Sequence, residues 1–358
     1  MPDRPRLTPA IADLRRAVRG ALVGFEPDAL VLVALSGGPD SLALAAATGF
    51  EAPRAGLRAG AVIVDHGLQS GSADVAARAA QQATALGLAP VRVERVSVGA
   101  AAGSGGGPEA AARTARYAAL EGAASEFGAA AVLLAHTLDD QAETVLLGLA
   151  RGSGAASLQG MPARRSNGSG RVVLLRPLLG IRRTTTVQAC ADAGLEPWND
   201  PQNDDPAFTR VRVRTTVLPL LEAELGPGVA EALARTADQL REDAEALDMF
   251  ADELAEDLAE HAEAGISLDV PALAANPPAV RQRLIRLAVS SEFGIALSRQ
   301  QTLEVARLVT DWHGQEGVDL PGVRVVRRGG RLQFSAQEFS ARGFNDQPSE
   351  SKGNDGTA

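Results

Sequence analysis

Residues 29–41 read Ala-Leu-Val-Leu-Val-Ala-Leu-Ser-Gly-Gly-Pro-Asp-Ser, and this stretch decides the fold. Its first seven residues form an unbroken apolar run without charge. That is the pattern of a short strand buried on both faces, as in a parallel sheet. Ser36, Gly37, Gly38, Pro39, Asp40 and Ser41 then make a tight loop of small residues. The alanine-rich segment 42–48 predicts a helix starting at or just after Asp40. A strand, a glycine-rich turn and a helix N-terminus form an anion site, because backbone N–H groups converge there and the helix dipole favours negative charge. Gly37 and Gly38 let the backbone approach a phosphate, and Ser36 and Ser41 can donate hydroxyl hydrogen bonds. Asp40 repels phosphate unless it holds a metal ion or caps the helix. A Walker loop is excluded, since that motif needs a lysine after its last glycine and the chain's one lysine is Lys352. The bland reading, a turn that merely links strand to helix, is disfavoured by the full hexapeptide directly behind a buried strand.

Outward from this stretch the chain keeps alternating. Residues 8–23 predict a lead-in helix with Ile11, Leu14, Val18 and Leu22 on one face. Strands are expected at 59–65, 91–98, 130–135 and 171–175, and helices at 72–86, 108–127, 139–149 and 182–193. Alternating strands and helices mean a parallel α/β sheet with right-handed crossovers. Residues 100–108 read as a Gly/Ser-rich loop. Ligands in such sheets bind at the carboxyl ends of the strands. Three strands here end in polar residues: the 36–41 loop, Asp65-His66, and His136 followed by Asp139 and Asp140. They are far apart in sequence and should meet in one crevice.

Beyond residue 216 the character changes. Gly226-Pro227-Gly228 breaks the chain, and apolar residues from Val229 to Leu258 recur at spacings of three, four or seven, the seam of a long helix. Two or three more helices are expected at 271–312, a hairpin around Arg328-Gly329-Gly330, and a polar, disordered tail from 335. The division expected is therefore 1–216, 217–334 and 335–358. A single cysteine, Cys190, excludes a disulfide framework and a Cys-based metal cluster. With no apolar run of membrane-spanning length and no signal-peptide core at the start, a cytoplasmic protein away from membranes is expected.

The net charge of −9 argues at first against nucleic acid. Twelve acids and two arginines in residues 231–263 supply −10 of it, so the rest of the chain sums to +1. Residues 151–215 carry ten arginines against five acids, and 281–331 nine against five. Phosphate binding follows local patches rather than total charge.

Asp139 and Asp140, beside Asp40, can supply carboxylates to Mg²⁺, with Asp40 and Asp140 the expected ligands; Mg²⁺ prefers one or two carboxylates plus phosphate oxygens and water. Asp139 as a helix N-cap and Asp140 as a first-turn acid are the ordinary alternatives. His66 and His136 lack a third ligand at zinc spacing, so positioning a nucleotide is the better reading. Arg210, Arg212 and Arg214 recur at every second position. Extended, they share one face; on a helix they spread over a wide arc. Either suits phosphate or an RNA backbone.

With these pieces in place the chain resembles the PP-loop ATP pyrophosphatases, which share the Ser-Gly-Gly-x-Asp-Ser loop, and within them the bacterial tRNA(Ile)-lysidine synthetases. The matching blocks, in family order, are Ser36–Ser41, Val64–Leu68, Pro108–Arg113 through Arg116-Tyr117, and Ala135–Thr144 running to Gly154. Leu158–Met161, Arg176–Leu179 and Asp200–Arg214 complete them. The resemblance implies a PP-loop (adenine nucleotide alpha hydrolase-like) catalytic domain over 1–216 and a smaller, mainly helical tRNA-binding domain over 217–334. It implies ATP and Mg²⁺ as cofactors, and free L-lysine and an isoleucine tRNA with a CAU anticodon as substrates. ATP would adenylate O2 of the wobble cytidine and lysine would displace AMP. ATP is expected on Ser36–Ser41, Asp65 and His66, with chemistry at Asp40, His136, Asp139, Asp140 and Glu143. RNA is expected on Arg113, Arg116, Arg151, Arg210, Arg212 and Arg214. Val211 stands where the family usually has Asn, so no Asn role is carried over. The larger C-terminal extension of some members is expected to be absent, so tRNA recognition is expected on 217–315 and the hairpin. The oligomeric state stays open, a homodimer being compatible. The rival readings are a tRNA thiolase, which needs cysteines; an amide-forming ligase, which leaves the arginines unexplained; and a regulator that binds nucleotide without chemistry.

Overall fold

The computed structural model describes residues 7–67, 71–96, 107–152, 154–166, 172–200, 204–262 and 265–337. Most of the expected 100–108 loop and the tail from 338 lie outside them. Contacts divide the chain into two compact units, Met1–Arg241 and Glu242–Ala358. No helix among the described residues is long and apolar enough to cross a membrane.

In the first unit, α1 (Pro9–Ala21) precedes β1 (Leu30–Ala34), which leads through the Ser36–Ser41 loop into α2 (Pro39–Glu51). There follow β2 (Arg58–Asp65), α3 (Ser72–Ala85), β3 (Val91–Arg95), α4 (Gly107–Glu126), β4 (Ala131–Leu133) and α5 (Leu138–Ala150). Next come α6 (Ala155–Leu158), β5 (Arg164–Ser166), β6 (Val173–Leu175) and α7 (Arg183–Asp192). The sheet order is β3-β2-β1-β4-β6-β5, parallel except that β5 runs antiparallel to β6. The apolar run of β1 is explained by cover on both faces. Val31, Val33 and Leu35 pack with α1, α2, α3 and α7, while Leu30, Leu32 and Ala34 pack with α4. Strand β5, three exposed polar residues, carries no sequence signal and exists by pairing at the sheet edge.

Strand order reverses between β1 and β4. The chain winds outward from β1 through β2 to β3, then returns to the other side of β1. That switch point opens a crevice at the carboxyl ends of β1 and β4, where the Ser36–Ser41 loop and His136 emerge.

The arginine-rich segment is helical: α8 (Thr209–Arg212), a π-helical turn Val213–Val217 and α9 (Leu218–Leu225) run on without a break, and α10 (Val229–Leu258) follows the Gly-Pro-Gly turn. The expected boundary at 216/217 is displaced to 241/242. The cause is packing: Leu138 and Ala142 of α5 bury against Val213, Leu218, Ala230 and Ala234, which ties α9 and the start of α10 to the first unit. The deepest line of α10 is Ala230, Ala234, Ala237, Ala244 and Ala251, flanked by half-buried leucines, with the acids of 238–260 outward.

The second unit takes the end of α10, then β7 (Ala259–Ala262), β8 (Gly265–Asp269), α11 (Val270–Ala275), α12 (Pro278–Phe293), α13 (Arg299–Thr310), β9 (Val318–Leu320), β10 (Val323–Arg328) and β11 (Arg331–Ala336). The expected hairpin is β10–β11. It belongs to a five-stranded antiparallel sheet, β7-β8-β11-β10-β9. Phe334 pairs with Ile266 and Leu332 with Leu268, and all four face the core under α12 and α13. The class expected from sequence, a parallel-sheet α/β domain followed by a smaller, mainly helical one, is the class observed.

Candidate active site

The loop after β1 is held by its own serines. Ser41 Oγ accepts from the Ser36 N–H at 3.2 Å, contacts Ser36 Oγ at 3.1 Å and donates to the Gly38 carbonyl at 3.0 Å. Gly37 has φ +85°, a conformation that glycine adopts without cost, and its carbonyl accepts from the Trp198 N–H at 2.9 Å. Gly38 caps α2 with no side chain and Pro39 at N1 has no N–H, so the Asp40 and Ser41 N–H groups at the start of the helix have no side-chain cap. Beside the loop is a pocket of about 160 Å³ lined by Ser36, Asp65, His66, Gly67, Ser72 and Trp198 among others. The larger cavity of about 600 Å³ lies among α1, α2, α3 and α7 and includes none of the expected site residues.

Asp65 accepts from the Gly67 N–H at 2.9 Å, and that bond, first among several, holds its pKa below the ordinary carboxylate range. Burial lowers the pKa of His66 and brings that of His136 to about 3, so both imidazoles are neutral near pH 7. Each has a buried Nδ1 without a partner among the described residues. Arg116 lies close enough to disfavour protonation of both.

At the start of α5, Thr137 and Asp140 form a reciprocal cap. Asp140 Oδ2 accepts from Thr137 N and Oγ1, both at 2.8 Å, and Thr137 Oγ1 accepts from the Asp140 N–H. Burial opposes ionisation of Asp140, but Arg183, Arg210, the Thr137 N–H and His136 outweigh it and bring its pKa to about 2. Glu143, one turn further and fully buried, accepts from Arg210 Nε at 2.7 Å, Arg214 Nε at 2.8 Å and Arg183 Nη1 at 3.3 Å. Asp40 accepts from Arg183 Nε at 3.2 Å and from the Thr186 hydroxyl. Burial dominates there and raises its pKa. Three arginines and three carboxylates thus form one neutral cluster beside the phosphate loop.

Asp139 turns elsewhere. Its Oδ2 accepts from the Arg183 N–H at 2.7 Å, capping α7 from outside, and its Oδ1 accepts from Arg182 Nη1 at 3.2 Å. Arg182 continues to Glu222 and Glu231, and Glu222 caps α10 through the Gly228, Val229 and Ala230 N–H groups.

Of the expected residues, the structure gathers Ser36–Ser41, Asp65, His66, Arg116, His136, Asp140, Glu143, Arg210 and Arg214 around the crevice. It does not bring in Arg113, which is exposed and donates to the Tyr117 hydroxyl at 3.3 Å. Arg151 sits at the far end of α5 and bonds the Leu147 carbonyl. Arg212 turns back to the Pro206 and Ala207 carbonyls. Helical spacing is the reason: Arg210 and Arg214 are four apart and share a face, while Arg212 points away. Sequence reasoning missed Arg183, Thr186 and Trp198. One signal was present, since Arg182-Arg183 opens a helix where the dipole disfavours cations.

The oxygens of Asp40 and Asp140 expected to hold Mg²⁺ are engaged by Arg183, Thr186 and Thr137, with which a metal there would compete. Every oxygen of Asp40, Asp140 and Glu143 already accepts from a protein donor. No group of three or more His, Cys, Asp or Glu side chains among the described residues is arranged to hold a metal.

A PP-loop domain model matches residues 13–221, and a model described as the TilS substrate binding domain matches 268–333. A tRNA(Ile)-lysidine synthase of Leifsonia xyli subsp. xyli is 67% identical over 309 residues, covering 86% of this chain and 90% of that protein. One from Thermobifida fusca is 55% identical over 323 residues, 89% of this chain and 95% of that protein. Among solved structures, the U34-tRNA thiolase NcsA from Methanococcus maripaludis with its 4Fe-4S cluster aligns with a TM-score of 0.54 at 19% identity, over 65% of this chain and 80% of that one, a likeness of fold alone. Identity of this size over nearly the whole of both chains leads to one conclusion: the chain belongs to the tRNA(Ile)-lysidine synthase family.

Proposed function

We propose that the chain joins free L-lysine to C2 of the wobble cytidine of an isoleucine tRNA with a CAU anticodon, at the cost of ATP. The observation that carries this reading is the phosphate loop at the switch point, set directly beside the carboxylate–arginine cluster. In the first step cytidine O2 attacks the α-phosphorus of ATP and pyrophosphate leaves. The loop's N–H groups and the start of α2 stabilise the departing charge. In the second step the ε-amine of lysine adds to C2 and the C2–O2 bond breaks, with AMP carrying O2 away. The amine must be neutral, so one proton passes to solvent or to the departing phosphate. Asp140 and His136, with pKa values of about 2 and 3, are too weakly basic to take it near neutrality. Their work is to orient: Asp140 fixes the arginines, and neutral His136 offers a ring nitrogen. Mg²⁺ carried by the nucleotide would supply charge neutralisation of the departing pyrophosphate. A splayed loop cytidine is the usual target of single-strand readers, and with tRNA as substrate the reaction belongs to the cytoplasm.

The test is incorporation of labelled lysine into a transcript with the CAU anticodon, with ATP and Mg²⁺ present. The label should stay on that RNA and not on one with a different wobble base. Pyrophosphate release without any RNA requirement would move the reading to a small-molecule ligase.

A further inference from the structure

Among the described residues, Arg183 is the one side chain that touches all three carboxylates of the cluster. Each of its nitrogens serves a different one: Nε reaches Asp40 Oδ2 at 3.2 Å, Nη1 reaches Glu143 Oε1 at 3.3 Å and Nη2 reaches Asp140 Oδ1 at 2.8 Å. The three carboxylates come from two separate helices, α2 and α5. Arg183 itself opens α7, where a cation opposes the helix dipole, so its placement is explained by the cluster and not by its own helix.

We infer that Arg183 is the resident cation of this site, standing where a divalent ion would otherwise bridge the carboxylates, so that Mg²⁺ enters only on the phosphates of the nucleotide. The spacing supports this. With a C–N bond of about 1.3 Å, the three oxygens lie about 4 Å from the guanidinium carbon, about twice the Mg–O distance of about 2.1 Å. The carboxylates are therefore spread for a guanidinium. Their other oxygens also accept from protein donors, Thr186, Thr137, Arg210 and Arg214, so a metal would have to compete with these bonds for them. Arg183 then acts as a positioning residue: it fixes Asp140 and Glu143, and through them Arg210 and Arg214, before substrate arrives. The inference rests on reading the crevice as the ATP site.

The test is Mn²⁺ uptake by the full chain, read from the free-ion electron paramagnetic resonance signal, with and without a non-hydrolysable ATP analogue. Wild type alone should leave the signal as Asp40→Asn leaves it, and the analogue should bring one equivalent of Mn²⁺ onto the protein. Arg183→Gln should gain Mn²⁺ affinity without nucleotide by about tenfold or more, and Asp40→Asn in that background should cancel the gain. Arg183→Lys keeps the charge and should keep Mn²⁺ out while lowering kcat more than it changes the KM for ATP, a split that a merely structural role would not produce. The inference is overturned if wild type without nucleotide binds one equivalent of Mn²⁺ that Asp40→Asn removes, or if folded Arg183→Gln shows no gain. The wild-type comparison decides even if Arg183→Gln does not fold. A chain that takes up no Mn²⁺ with the analogue would instead undo the ATP reading.

Discussion

Glu143 is the most constrained acid in the crevice, fully buried and bonded to three guanidinium groups. Glu143→Gln leaves Arg210 and Arg214 without their main counter-charge in a part-buried setting. The expected loss is about 3 kcal/mol of folding stability, read as a lower denaturant midpoint at unchanged slope; a variant as stable as wild type would mean that the arginines find water at no cost. His136 gives a pH signature. Burial brings its pKa from 6.5 to about 3, so between these values the unfolded chain binds a proton that the folded chain refuses. Its contribution is complete above about pH 6.5 and is lost as pH falls toward 3. Glu222, held at about 2 first by the Ala230 N–H, and Asp140, also at about 2, add their loss only below about pH 4.5. His136→Gln should therefore flatten stability between pH 6.5 and 4.5 while keeping the steeper fall below. His66, shifted in the same direction, accounts for a residual slope. A profile identical to wild type across that window would contradict a neutral, buried His136.

The elements show what a sequence can and cannot announce. Strand β1 and its loop were legible because burial on both faces forces an unbroken apolar run, and α10 because its seam repeats over thirty residues. Strands β5, β7 and β8 were not, since each is short and is defined by its pairing partner. The arginines of 210–214 were legible as charge, but their direction was not: only the helix that the segment adopts sends two of them to Glu143. Arg183 was hidden because its partners lie forty residues away or more, and contact at that range leaves no local pattern. The turn after α6 has a similar logic. Gly160 sits at φ +61°, and an added Cβ would fall 2.6 Å from Gln141 Oε1, the atom that accepts from the Met161 N–H. Gly160→Ala is expected to cost about 2 kcal/mol or more through strain and displacement of Gln141, checked by thermal melt. An unchanged melting temperature would show that the turn shifts freely.

For the whole molecule, the question is how a chain of net charge −9 handles RNA. Of the ten arginines in 151–215, Arg182, Arg183, Arg210 and Arg214 are already paired with carboxylates, while Arg151, Arg164, Arg165 and Arg212 are exposed. Binding through such exposed groups should fall by about tenfold or more between about 50 and 200 mM salt, measured by filter retention of the tRNA transcript; affinity insensitive to salt would place recognition elsewhere. On the proposed reading, in which the loop meets the leaving phosphates and the charge cluster orients the reacting groups, the reaction has two separable steps. The most direct measurement uses ATP labelled at the α-phosphorus, the CAU-anticodon tRNA and no lysine. Label should become attached to the RNA as AMP, and added lysine should release it as free AMP with lysine taking its place. Label that never joins the RNA, while lysine is still incorporated, would contradict an adenylated tRNA intermediate and with it the proposed two-step reading.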